Sequence, residues 1–206
     1  MQRVQHLGPG HFSQRLKFCK WLSGSRQLHR YILFTDEAQF NRDGFNNTHN
    51  SHVWADENPH ATVESNFQLR FSVNVWCAVL YDQLIGPFVL EGRLTGEAYL
   101  RFLHEELPRL LEDVSLNKRG RMYCQHDGAP PHSSREVRNF LNSRFSGRWI
   151  GRGSPHHWPA RSPDLSPLDY CVWGWMKELV YSEKVKREMH CSVAFWTPLT
   201  TSETAS

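Results

Sequence analysis

The hydrophobic positions of this chain fall into two periods, and the change from one to the other marks out its elements. Tyr31-Ile32-Leu33-Phe34-Thr35 is a compact, β-prone run that reads as a buried strand and delivers Asp36 at its C-terminal end. Phe71–Leu80 carries the strongest strand pattern in the chain. Positions 71, 73, 75 and 77 are apolar, as in a sheet with one face in a core. Tyr81-Asp82 reads as a turn and Gly86–Leu90 as the returning strand of a hairpin. The spacing then lengthens. Leu100, Leu103, Leu107, Leu110 and Leu111 recur every three or four residues and predict a helix over 96–113, with Thr95 as its N-cap and Glu97 in its first turn. Asn117–Arg121 reads as a basic loop and Met122–Gln125 as a strand ending at Asp127. Ser133 or Ser134 caps a helix that turns Val137, Phe140 and Leu141 inward. Trp149-Ile150 predicts a last short strand, and 151–162 an irregular basic loop. Ser166 is then expected to cap a helix with Pro167 in its first position, where proline is tolerated best. That helix carries Asp169, Val172, Trp173, Met176 and Leu179.

The flanks are less patterned. Phe12, Leu16, Phe18, Cys19, Trp21 and Leu22 predict one amphipathic helix stopped by Ser23-Gly24-Ser25, either packed on the main domain or forming a linker segment. Residues 41–66 read as loops with at most a short strand at Val53-Trp54, and 186–206 as a frayed tail. The expected organisation is a linker helix segment over 1–28, an α/β domain of mixed sheet and flanking helices over 29–185, and a degenerate tail over 186–206.

Composition narrows the classes. A chain of 206 residues with 39% hydrophobic and 13% aromatic residues can build one ordinary core, which excludes wholesale disorder. The net charge of +3 says little by itself, but six arginines (135, 138, 144, 148, 152 and 161) face two acids, Glu136 and Asp164, between Asp127 and Asp169. The five cysteines are odd in number and form no C-x-x-C pair, so neither a disulfide framework nor a zinc ribbon is expected. Histidines 126, 132, 156 and 157 have no finger spacing either. No signal peptide or membrane-length apolar run is present, and a soluble intracellular protein is expected.

Three aspartates are held in tightly positioned settings. Asp36 and Asp127 follow strands, Gly128 permits a sharp turn after Asp127, and Asp169 sits in a helix start that can lean across the same sheet edge. Hard divalent cations need several oxygen ligands. Two such ions a few Å apart activate a water or hydroxyl and stabilise the leaving oxygen of an in-line phosphodiester displacement. Each aspartate alone is as well explained as a turn or cap residue, and Asp164 competes with Asp169 for the third place. Glu37 beside Asp36 could support the site or point away from it. Lys118, Arg119, Arg121, Arg135, Arg152 and Arg161 are candidates for phosphate contacts, which give affinity without sequence information.

Phe34-Thr35-Asp36-Glu37, Gln125-His126-Asp127-Gly128-Ala129-Pro130-Pro131-His132 and Ser162-Pro163-Asp164-Leu165-Ser166-Pro167-Leu168-Asp169-Tyr170 resemble, in order, the three catalytic blocks of Tc/mariner-type DDE transposases. Trp149-Ile150-Gly151-Arg152 and Trp173-Gly174 are similar to the same family, and the resemblance covers roughly residues 10–185. It implies an RNase H-like fold like the retroviral integrase core, with Asp36, Asp127 and Asp169 as catalytic metal ligands. It implies two Mg²⁺ or Mn²⁺ ions, double-stranded DNA (transposon ends and target) as partner, a homodimer, and nuclear DNA cleavage and strand transfer. It also favours Asp169 over Asp164, because the third acid of the motif follows Ser-Pro. The gap from second to third acid, 169 − 127 = 42 positions, is wider than in the best-known mariner members. Relatives carry N-terminal helix-turn-helix modules, for which the stretch before residue 30 has no room, so a truncated copy is expected. Neither membrane nor small-molecule substrate is expected. Two competing functions remain at this point: a catalytically inactive DNA-binding or interaction remnant, and an RNase H-like nuclease acting on RNA–DNA hybrid.

Overall fold

A computed structural model of the chain describes residues 7–25, 27–41 and 72–182. The expectations for 41–66 and for the tail from 186 fall, apart from Asn41, outside those residues.

Five strands form one mixed sheet in the order β3-β2-β1-β4-β5. They are β1 Ile32–Asn41, β2 Ser72–Leu80, β3 Gln83–Leu90, β4 Tyr123–Gln125 and β5 Trp149–Ile150. β1, β2 and β3 pair antiparallel, and β4 and β5 continue the sheet parallel to β1. The helices are α1 Pro9–Ser23, α2 Gly96–Leu110, α3 Leu116–Arg121, α4 Arg135–Arg144 and α5 Trp173–Tyr181, the last preceded by a π-helical turn over Leu168–Val172.

Both faces of the sheet are covered. On one, Leu33, Trp76, Ala78, Leu80 and Cys124 pack under α2 and α4 through Tyr99, Phe102, Leu103, Val137 and Leu141. On the other, Phe40, Val73, Val75 and Cys77 pack under Leu168, Trp173, Met176 and Val180. A smaller cluster seats α1 by Phe18 against Ile32 and Ile150. This corrects the one-sided reading of β2: Trp76 and Ala78, at the positions assigned to an outer face, are as buried as Val75 and Cys77. A central strand buried on both faces loses the alternation that a half-buried strand displays.

Several local expectations change for physical reasons. β1 does not stop at Thr35 but runs six residues further, from Asp36 through Asn41, paired to β2 throughout, so Asp36 lies mid-strand opposite Cys77. The stretch read as a basic loop is α3, because Ser115 accepts from the Lys118 N–H and caps a helical turn. Ser134 rather than Ser133 caps α4, accepting from the Val137 N–H at 3.3 Å. Thr95 caps α2 as expected, accepting from the Ala98 N–H at 3.2 Å. Ser166 makes no side-chain cap: among the described residues its buried hydroxyl has no hydrogen-bond partner, and its carbonyl accepts from the Tyr170 N–H as the chain enters the π-turn.

Candidate active site

The site begins where β1 and β4 part. Their parallel pairing ends at Phe34 opposite Gln125. One step on, the Thr35 N–H donates to Gln125 Oε1 at 3.0 Å and the Thr35 hydroxyl donates to the Gln125 carbonyl at 2.7 Å. Both residues are buried, so this side-chain clamp replaces the next rung of the ladder and satisfies groups that divergence would orphan. Asp36 and Asp127 lie just beyond it, on the two chains that separate.

Asp127 is fixed by its own turn. Its Oδ1 accepts the Ala129 N–H at 2.9 Å and contacts His132 Nδ1 at 2.6 Å. The turn therefore comes from the aspartate side chain bonding two residues ahead. Gly128 is not needed for it, since its φ lies outside the left-handed region and a Cβ there would meet nothing. The glycine that matters is Gly151: a Cβ on it would lie 2.7 Å from His126 Nε2, so its absence lets the exit of β5 close over that imidazole. His126 is 1% exposed, neither of its ring nitrogens has a hydrogen-bond partner among the described residues, and burial pushes its pKa down to about 3. The ring is thus neutral and stands between Tyr99 and Trp149.

His132 is 2% exposed and has a carboxylate on each side, Asp127 at Nδ1 and Glu37 Oε2 at 3.3 Å from Nε2. Burial works against its charge, but the two carboxylates prevail and lift its pKa to about 10. The 3.3 Å contact is an ion pair whose alignment falls short of a hydrogen bond, and among the described residues His132 Nε2 and Glu37 Oε1 are both buried without one. For Asp127, burial raises the carboxyl's pKa, and the His132 hydrogen bond and charge together with the Ala129 N–H bring it below the ordinary value.

Asp36 and Asp169 behave in the opposite way. Burial and the charge of Asp169 raise Asp36 to about 7, against the Trp173 indole N–H that donates to Asp36 Oδ2 at 2.7 Å. Asp169, on the π-turn, is raised by partial burial and by Asp127, with Lys177 acting the other way. The structure therefore brings Asp36 within electrostatic reach of Asp169, and Asp169 within reach of Asp127. Asp164 is engaged elsewhere: the Arg15 guanidinium of α1 grips both its oxygens, one at 2.8 Å, and holds its pKa down. Among the described residues no three His, Cys, Asp or Glu side chains are close enough together to enclose an ion.

The Trp173 bond favours the charged form of Asp36, so Trp173→Phe is expected to move that carboxyl's titration above about 7. Carbon-13 NMR of the Asp36 carboxyl reads this directly, and an unmoved midpoint would mean that the indole does not stabilise the carboxylate.

The basic candidates divide. Arg135 opens α4 right after the His132 turn, and Arg152 shares a cavity of about 730 Å³ with Lys17, Trp21, Trp158 and Gly128, the residue next to Asp127. Arg161 is exposed. Lys118, Arg119 and Arg121 lie on α3, which leads into the start of β4, whereas Asp127 follows its end. Lys118 covers the Tyr81 ring at 4.6 Å and Arg121 the Tyr31 ring at 4.0 Å, so these cations pack on tyrosines away from the acids. The sequence reads Trp173 as a helix residue and Gly151 as the start of a loop, both in blocks that resemble the family. Nothing in the sequence marked the indole N–H for Asp36 or the glycine for His126.

A mixed five-stranded sheet with helices on both faces, and Asp36 and Asp127 carried just past the point where β1 and β4 part, defines an RNase H-like fold. The sequence profile of the DDE superfamily endonucleases matches residues 31–189, and the chain belongs to that family. It is 27% identical over 179 residues to the Tc3 transposase of Caenorhabditis elegans, covering 86% of this chain and 50% of that protein. The chain thus spans about half the length of this curated relative. Its fold is similar to the crystal structure of the Mos1 mariner transposase catalytic domain, with a TM-score of 0.59 at 21% identity over 96% of this chain and 83% of that one. It is also similar to Mos1 in a pre-cleavage transpososome, with a TM-score of 0.66 at 23% identity over 96% of this chain and 58% of that one. A further similar structure is the Mos1 paired-end complex with Mn, with a TM-score of 0.61 at 24% identity over 99% of this chain and 59% of that one.

Proposed function

We propose that this chain is the catalytic domain of a Tc/mariner-type transposase that cuts DNA at transposon ends and joins it to a target, with Asp36, Asp127 and Asp169 as ligands of two divalent cations. The observation that carries this reading is the placement of Asp36 and Asp127 just past the Thr35–Gln125 clamp, on the two strands that part there. In support, burial and then the charge of Asp169 raise the Asp36 carboxyl, burial and then Asp127 raise Asp169, and a hard cation would relieve this. Bound Mg²⁺ or Mn²⁺ would polarise the scissile phosphate and lower the pKa of the attacking hydroxyl or water.

The chain's own groups do the rest. Asp36 and Asp127 are held at fixed separation by the Thr35–Gln125 clamp, and Trp173 orients the first while His132 orients the second. Asp169 comes from a turn rather than a strand, so it is the ligand best able to adjust when a cation arrives. Arg135, Arg152 and Arg161 lie exposed around this end of the sheet and suit the phosphates of a DNA backbone. Assigning Lys118, Arg119 and Arg121 the same role would require a second DNA segment at the far end of β4. Action on chromosomal DNA implies a nuclear site of work, and pairing two transposon ends implies a homodimer.

The test uses the purified chain with Mn²⁺ on supercoiled plasmid, on pre-cut duplex and on RNA–DNA hybrid. Nicking or end hydrolysis of the DNA substrates is expected, and preference for the hybrid would point to the other nuclease. At pH 6 Asp36 still carries a proton in the metal-free chain, so Mn²⁺ binding is expected to release protons, read by calorimetry in buffers of different ionisation enthalpy. An inert DNA-binding remnant is the second reading, favoured by the open ligand arrangement. It predicts no Mn²⁺ binding at millimolar metal.

A further inference from the structure

Successive side chains of a strand point to opposite faces, so Glu37 does not join Asp36. It pairs across the strands with Trp76 and lies on the face of α2 and α4. There its Oε2 stands 3.3 Å from His132 Nε2, while His132 Nδ1 reaches Asp127 Oδ1 at 2.6 Å. The His132 ring is 2% exposed and packs on Tyr99 with ring centres 4.3 Å apart. The imidazole is thus hydrogen-bonded at Nδ1, ion-paired at Nε2 and packed on its face, which restricts its turning. Asp127 Oδ1 also accepts the Ala129 N–H, so both its lone pairs are taken within the protein and ligation falls to Oδ2.

We propose that Glu37 is a positioning residue for the metal site: through His132 it fixes which oxygen of Asp127 faces the cation. The inference rests on the reading of Asp127 as a metal ligand. β1 then serves the centre from both its faces, with Asp36 contributing directly and Glu37 acting around the strand ends. Stability alone is a poor reason for this arrangement. A buried carboxylate–imidazole–carboxylate chain is costly to desolvate, and apolar residues of the same volume would serve the core as well or better. Glu37 Oε1, buried without a hydrogen-bond partner among the described residues, adds to that cost. Outer partners that orient a metal ligand are worth about 10- to 100-fold in metal affinity.

The experiment measures Mn²⁺ affinity by calorimetry for wild type, Glu37→Gln, His132→Gln, the double variant and Asp127→Asn, with folding checked by circular dichroism. Glu37→Gln is expected to weaken binding about 10- to 100-fold. The double variant is expected to bind no worse than His132→Gln alone, because both substitutions break one chain. Wild-type affinity in folded Glu37→Gln, or losses that add, would overturn the relay while leaving the metal site standing. Wild-type affinity in Asp127→Asn would overturn both. Nitrogen-15 NMR of the wild-type protein needs no variant: a protonated His132 Nε2 is expected, and a bare one refutes the contact to Glu37.

Discussion

Replacing Asp127 by Ala is expected to abolish Mn²⁺-dependent DNA cleavage, with a loss on the order of 10³-fold or more, since removing even one hydrogen-bond donor from a charged transition state costs about 10²–10³. The same loss is expected for Asp36→Ala, while the fold survives both. Neither side chain fills the core, and removing Asp36 relieves the repulsion that burial and Asp169 impose on it. Asp127→Ala does leave His132 with one carboxylate instead of two, so some stability should be lost. Asp36→Ala leaves the buried Trp173 indole N–H without its acceptor, which costs stability, but this loss should be smaller above pH 7, where ionising the carboxyl in its native surroundings works against folding. The sign follows from the shift. A folded-state value of about 7 against an ordinary 3.8 means that this group's contribution is full below 3.8 and is lost as pH rises through 7. Plasmid nicking and urea denaturation on the same preparations separate the two effects. The series should include Asp169→Ala and Asp164→Ala. The first is expected to match Asp127→Ala. The second breaks an exposed ion pair to Arg15, costs about 1 kcal/mol or less and leaves cleavage intact. Activity that survives the loss of Asp36 and of Asp127 would remove the mechanism.

Much of this arrangement can be read from the residues alone. The period of two in 71–80 and the period of three and four in 100–111 give β2 and α2 directly, and the clusters around Asp36, Asp127 and Asp169 mark the sheet edge. What escapes is physical in origin. β1 continues through Asp36-Glu37-Ala38-Gln39 in polar sequence, where Asp36 accepts the Trp173 indole N–H and Glu37 faces His132, so the alternation by which strands are recognised is lost. The two-sided burial of β2 depends on α5, more than ninety residues downstream, so no local window contains it. α3 escapes because a run of Lys and Arg around Gly120 looks solvated, whereas its cations lie on the rings of Tyr81 and Tyr31. The sequence leaves Glu37 open between supporting the site and pointing away from it, because nothing local shows that a histidine ninety-five positions away lies beside it.

The strand that carries Trp76 sets the second large expectation. Trp76→Ala is expected to cost about 3–5 kcal/mol, the usual range for truncating a buried aromatic, and so a large share of the roughly 5–15 kcal/mol that holds a domain together. Trp76 is fully buried, its ring centre lies 4.8 Å from that of Phe102, and Leu33, Ala78 and Leu80 share its cluster. Sheet and helix frame the void from two sides, so collapse into it is limited. Trp76→Phe is expected to cost much less. Among the described residues the indole Nε1 is buried without a hydrogen-bond partner, a defect worth about 1–3 kcal/mol that Phe removes along with the volume it gives up. Urea denaturation of the two variants should therefore separate them by more than ring volume alone predicts. Because Trp76 sits directly across from Glu37, the alanine variant also undermines the floor beneath the Glu37–His132 contact. Its Mn²⁺ affinity should fall even under conditions where the chain is fully folded, while that of Trp76→Phe should stay near wild type. Equal destabilisation by Phe and Ala would mean that the indole nitrogen finds a partner in solution, and equal metal affinity in all three proteins would uncouple the core of this face from the acids at its edge.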